Sequence, residues 1–248
     1  MTSTLARVIQ FPARNGGGFA SGAVASTSAV IRRFTEDPRG HVDDWGRDAG
    51  MFRVWSALSE LRWDVSTGGE HHLPRNKGAL IVVNGNSFTP TRVFSAFAIS
   101  RTIDRPVRFV GRPDGTALGA FAQSLGGLLD DPEEVAGALR AGELVVCSAK
   151  PTSRPRDVGV VDHSLVGVAI TTKTPVLPAA TTSSPFSRHA RVEIGPPTKQ
   201  RHRRRGPLAE LELADDVRAE IHLLLDELGD IATGTPLDWF PLGGMGGA

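Results

Sequence analysis

The sequence predicts a single α/β domain whose mixed, largely parallel sheet is flanked by helices. Three observations carry that prediction. Short apolar runs of strand length alternate with amphipathic stretches of helical period, the pattern of strands joined by helical crossovers. Gly, Pro, Asn and Asp clusters fall between them. No repeat or shift of composition divides the 248 residues, a length that buries a core without disulfides or metal.

Residues 1–40 read as a flexible N-terminal tail, with Gly16-Gly17-Gly18 and scattered Arg, or as an arm that meets a membrane surface or a partner. They lack the apolar stretch of a secretory signal. The domain spans 41–228. Over 43–63, Trp45, Ala49, Phe52, Trp55, Leu58 and Leu61 recur at three- and four-residue steps behind Asp43 and Asp44, which predicts a helix. Its aromatic stripe is read either as core or as a face lying on a bilayer. A short strand at 63–65, a turn at 67–69 and a loop at 70–74 follow. Ala79-Leu80-Ile81-Val82-Val83 is a buried strand stopped by Asn84-Gly85-Asn86.

Beyond it the pattern gives a helix over 90–99 with Pro90 in its first turn, and a strand at 107–110. Helices are expected at 118–125 and at 132–140, the second opened by Asp130 and Asp131 and closed at Gly142. A strand at 144–147, a helix over 162–171 and strands at 175–180 and 190–194 come next. The clearest helical period is Val217, Ile221, Leu224, Leu225 and Leu228, over 215–228. Residues 229–248 are a Gly/Pro-rich C-terminal tail.

In this order the segments resemble the glycerolipid acyltransferases of the PlsC type, the lysophosphatidic acid acyltransferases. Gly68-Gly69-Glu70-His71-His72-Leu73-Pro74, followed by Lys77-Gly78 and the strand to Asn84, is similar to the stretch that leads into the family's H-x4-D motif. Arg105 to Arg112, 118–127, Ala138 to Val146, Thr174-Pro175-Val176-Leu177-Pro178-Ala179 and Ile194-Gly195-Pro196-Pro197 resemble later blocks in the right order. The likeness spans roughly 45–228. It implies an acyl group transferred from acyl-CoA or acyl carrier protein to a lysophospholipid-type hydroxyl, with no bound cofactor.

At the reactive positions the sequence departs from the family. A general base for an alcohol needs an imidazole and a carboxylate to orient it. Gly85 stands where the His belongs and Pro90 where the Asp belongs, and neither moves a proton. Ala149 and Thr152 replace the Glu and Arg of the third block. Asn84, Asn86, Ser87, Arg112, Lys150 and Arg154 are left as candidate binding residues, the last two as cations for a phosphate. The chain therefore reads as a catalytically weak or inactive homologue, a pseudoenzyme that binds a lipid or acyl chain or regulates an active acyltransferase. Two alternatives stay open: an active enzyme with a base relocated to His71 or His72, and a purely structural interaction protein.

Other groups offer less. Cys147 with His163 or His189 lacks an orienting third group, and a lone cysteine fits neither a disulfide nor a thiolate metal site. No His cluster has metal-ligand spacing. Lys plus Arg number 28, only four of them Lys, against 27 Asp plus Glu; a net charge of +1 speaks against a nucleic-acid partner. The dense basic run Arg201-His202-Arg203-Arg204-Arg205 is read as a solvated loop or as a patch drawn to anionic lipid, at about 1 kcal/mol per residue near the surface. With no apolar run near the ~20 residues of a membrane span, the expected setting is the cytoplasm, with the membrane surface as a second site of action.

Overall fold

The computed structural model describes residues 42–87, 90–154, 156–183, 188–200 and 206–229. The two expected tails, apart from Gly229, and the basic run 201–205 lie outside them.

Helix α1 (Ala49–Arg62) leads into strand β1 (Asp64–Gly68) and a 3-10 turn (Glu70–His72). Then come β2 (Ala79–Val83), α2 (Thr91–Ile103), β3 (Val107–Val110) and α3 (Ala117–Ser124). They are followed by β4 (Gly127–Leu128), α4 (Pro132–Arg140), β5 (Leu144–Ser148) and α5 (His163–Thr172). Strands β6 (Val176–Ser183) and β7 (His189–Ile194) and helix α6 (Pro207–Leu228) complete the domain. The seven strands form one sheet in the order β1-β7-β6-β2-β5-β3-β4. Every neighbouring pair is parallel except β6 with β7. The α/β class and its mixed, largely parallel sheet are as the sequence predicts.

Burial explains the apolar run of β2. Leu80 and Val82 join the core under α4, α5 and α6, while Ala79, Ile81 and Val83 join the core under α1 and α2. A strand covered on both faces has no polar side to alternate with. Full burial of each branched side chain contributes roughly 1.5–3 kcal/mol, which makes β2 the anchor of the sheet.

Some boundaries move. The expected helix over 43–63 starts at Ala49, because Asp48 and not Asp43 is its N-cap, accepting from the amides of Gly50 at 2.7 Å and Met51 at 3.0 Å. Asp43 instead closes a turn, taking the amides of Trp45 and Arg47, both at 3.0 Å. Trp45 leaves the stripe and packs over Gly137 of α4, while Trp55 stays 39% exposed and meets Phe121 edge-on at 5.0 Å. The last helix begins eight residues before Asp215, at Pro207, and the two-residue strand β4 after α3 has no counterpart in the sequence reading.

One charge is buried outright. Arg108 of β3 is 1% exposed and pairs with Asp43 at 2.6 Å and Glu143 at 3.4 Å. Burial pushes the Asp43 carboxyl up. The hydrogen bond from Arg108, the Arg47 and Trp45 amides and the Arg108 charge together outweigh that, so it titrates below the ordinary carboxylate range. No helix among the described residues is long and apolar enough to cross a membrane.

Candidate functional site

The sheet has two rims. At one, β2, β5, β3 and β6 end and β7 and β1 begin; at the other the directions are reversed. In an open α/β sheet the rim where parallel strands end is where loops gather into sites. Here that rim carries Asn84 to Ser87, Lys150 to Asp157, Arg112 and the start of α2.

Three backbone segments are packed together at its centre. Ala149 donates its amide to Val83 O at 2.9 Å, Lys150 donates to Val160 O at 2.8 Å, and Gly85 donates to Val158 O at 3.3 Å. Asn86 forms a parallel bridge with Thr152, and the Ser87 amide reaches Thr152 O at 3.2 Å. Gly85 is buried at the crossing. A Cβ there would run into the carbonyl oxygen of Ala149 and lie 2.6 Å from that of Lys150. The glycine is required by this close approach of backbone to backbone, and no side chain fits without moving the Ala149–Lys150 chain.

Asn84 is spent on structure. Its Nδ2 donates to Thr181 O at 3.0 Å, and its Oδ1 accepts from the Thr181 amide at 2.6 Å and hydroxyl at 2.8 Å. Its carbonyl accepts from the Thr91 hydroxyl at 3.2 Å. Asn84 thus ties the end of β2 to β6 and to α2. Pro90 caps α2, its carbonyl taking the amides of Val93 at 3.0 Å and Phe94 at 3.2 Å. Neither motif position therefore presents a group that moves a proton.

Cations do face solvent here. Lys150, Arg154 and Arg156 are exposed on one loop, and Ser87 is exposed beside it. The hydroxyl of Thr152 donates to Asp157 at 3.2 Å and accepts from the Arg154 amide at 3.1 Å. Asp157 is held below the ordinary carboxylate range, first by the Gly159 amide and then, against a small desolvation, by the Thr152 hydroxyl and the charges of Arg218 and Arg154. A carboxylate so stabilised is a poor proton acceptor. Arg112 pairs with Glu134 at 3.3 Å and is 14% exposed. Beside it, Arg92 of α2 donates to Gly111 O at 3.3 Å. Arg92 escaped sequence reasoning; the only signal was a cation on the first turn of the helix after the motif.

The candidate imidazoles His71, His72, His163 and His189 are elsewhere. His71 and His72, with ring centroids 3.9 Å apart, occupy the 3-10 turn after β1. β1 runs against β2, so the pair stands at the opposite rim, where His71 lines a hollow of about 630 Å³ with Glu70, Pro74 and Arg105. The five residues of β2 put roughly 16 Å between that rim and Asn84. Burial and the charge of His71 lower the His72 pKa, against an opposing pull from Glu193. His163 is the exposed first residue of α5. His189 is exposed beside Asp64 at 3.7 Å, on β7, and three strand positions from Cys147 on β5. Burial pushes the Cys147 thiol up to about 12, so it is neither nucleophile nor base at neutral pH. Among the described residues no His, Cys, Asp and Glu gather in a group fit for a metal ion.

No protein-family model matches the sequence, and no curated protein matches it. The structure is similar to the crystal structure of the 1-acyl-sn-glycerophosphate (LPA) acyltransferase PlsC from Thermotoga maritima. The TM-score is 0.55 at 14% identity, over 85% of this chain and 90% of that one. The chain thus has the fold of that acyltransferase, bearing out the architecture that the motif order implies.

Proposed function

We propose that this protein is a catalytically weak or inactive binding or regulatory protein built on the acyltransferase scaffold. The observation that carries the reading is the packing of Gly85. Where the resemblance puts the catalytic base, backbone fills the space a side chain would need, and the neighbouring Asn84 is tied into the fold. His71 and His72 stand at the other rim, which weighs against a relocated base. What the rim retains is exposed positive charge at Lys150 and Arg154, with Asn86 and Ser87 joined to the same loop at Thr152 and Arg112 following β3 on the same rim. That chemistry suits holding the anionic head of a lipid or an acyl-carrying molecule and leaves proton transfer aside.

The protein would act in the cytoplasm or on an anionic membrane surface, to which Arg201, Arg203, Arg204 and Arg205 add attraction, and beside an active acyltransferase it would serve as a regulatory partner. Acyl-CoA and acyl carrier protein enter only as ligands. The purified chain, given a long-chain acyl-CoA and lysophosphatidic acid, is expected to release no CoA above the uncatalysed rate. It is expected to float with vesicles containing anionic lipid, less so when residues 201–205 are replaced by Ser. Robust acyl transfer by the unaltered chain would overturn the reading.

A further inference from the structure

A second basic site lies at the rim where β3 begins. A cleft of about 530 Å³ between α1 and α2 is lined by Arg47, Arg53, Ser56, Arg101 and Arg105, with Glu60 and Asp104 at its sides. Four guanidinium groups against two carboxylates leave an excess of two positive charges. Two of the four are committed. Arg101 pairs with Glu60 at 3.1 Å and donates to Val65 O at 3.0 Å. Arg105 donates to the carbonyls of Pro74, Arg75, Lys77 and Gly142, which joins the starts of β2, β3 and β5.

The other two are not. Among the described residues the Arg53 side chain makes one hydrogen bond, from Nε to Ala49 O at 3.3 Å, and it is exposed where it lines the cleft. The Arg47 guanidinium lies 4.0 Å from the centre of the Phe52 ring and makes no hydrogen bond among the described residues. Its Nε is buried without a partner. Asp43 and Glu143, whose charges reach Arg47, make their ion pairs with Arg108. A desolvated, unpartnered guanidinium is costly to keep, and a ligand oxyanion is the group that satisfies its planar fork. Burial and the neighbouring charge of Arg108 depress the Arg47 pKa, and the charges of Asp43 and Glu143 only partly offset them.

We propose that this cleft binds a phosphate-bearing small molecule whose phosphoryl oxygens are taken by Arg47 and Arg53. Its volume falls in the range of small-ligand pockets. Its position at the rim opposite Asn84 makes it independent of the Lys150 and Arg154 loop and of whether acyl transfer survives.

The test is isothermal titration of the full chain with inorganic pyrophosphate, repeated on Arg53→Ala, Arg47→Lys and Lys150→Ala/Arg154→Ala. Arg53 is exposed, so its alanine variant keeps the fold. Saturable binding at one site is expected. It should weaken by about 10- to 100-fold in Arg53→Ala and in Arg47→Lys, the range for loss of a charged hydrogen bond, and remain unchanged in the Lys150→Ala/Arg154→Ala variant. Absence of saturable binding, or binding that ignores Arg53 and follows Lys150 and Arg154, overturns the proposal.

Discussion

Restoring a histidine at residue 85 should cost stability and bring no activity. A Cβ at Gly85 would meet Ala149 O and lie 2.6 Å from Lys150 O and 2.7 Å from Lys150 C. Ordinary contact begins at 3.4 Å, so the chain must retreat by about 0.8 Å at Lys150 O, the difference from 2.6 Å, and by more at Ala149 O, which lies closer still. That retreat strains the hydrogen bonds from Ala149 to Val83, from Lys150 to Val160 and from Gly85 to Val158. Overpacking of this kind costs about 1–3 kcal/mol, and weakening three backbone hydrogen bonds brings the loss to about 2–4 kcal/mol. For a domain of this size that is a fall in Tm of roughly 5–15 °C. Gly85→Ala carries the same Cβ and should lose most of the same amount. Both would be followed by thermal unfolding, and the double variant Gly85→His/Pro90→Asp by CoA release from acyl-CoA with lysophosphatidic acid. Variants that melt with the parent, or a double variant that transfers acyl groups, would refute the reasoning.

Three further outcomes are expected. Asn84→Ala leaves the buried Thr181 amide and carbonyl without their partner and should destabilise by about 2–4 kcal/mol in urea unfolding; a loss below 1 kcal/mol would show that Asn84 is not the tie between β2 and β6. Arg108→Ala strands Asp43 and Glu143 and should cost about 3–5 kcal/mol. Because Asp43 titrates below its ordinary 3.8, its contribution is present above that pH and lost as pH falls through the lower folded value. The loss of stability on acidification should therefore be smaller in Arg108→Ala, where the Asp43 carboxyl is no longer held as far below its ordinary range, and an unchanged acid limb would remove Asp43 from the account. Cys147, buried with its thiol pushed up to about 12, should resist a maleimide at pH 7.5 in the folded chain and react once denatured; fast labelling of the native protein would contradict its burial.

The fold was legible where local pattern and burial agree. The run from Ala79 to Val83 has one reading because a strand covered on both faces must be apolar throughout. Helix α4 was equally clear, with Asp131 as its cap and Pro132 inside its first turn. Strand β4 was not, since two residues, one of them Gly127, carry no periodicity and exist as a strand only through pairing with Phe109 and Val110. The start of α1 was misjudged because an Asx turn at Asp43 and a helix cap at Asp48 use the same residue type. At the candidate site, the substitution of Gly85 and Pro90 could be read from the order of motifs. What lies over Gly85 could not, because Ala149 and Lys150 are more than sixty residues away in the chain. The same distance hid Arg108, whose partner Asp43 is 65 residues away, and the unsatisfied Arg47 beside it.

The order of the strands also limits how this protein meets others. One edge of the sheet is β4, only two residues long, and the other is β1, where Asp64 and Ser66 point to solvent and His189 stands alongside. Among the described residues neither edge offers a long apolar row of backbone groups, so a second polypeptide gains little by adding a strand to the sheet. Recognition is left to helix faces and rim loops, where contacts are made by side chains and change freely with sequence. A scaffold closed to strand addition can thus gain or drop partners by surface substitution alone, without endangering its core.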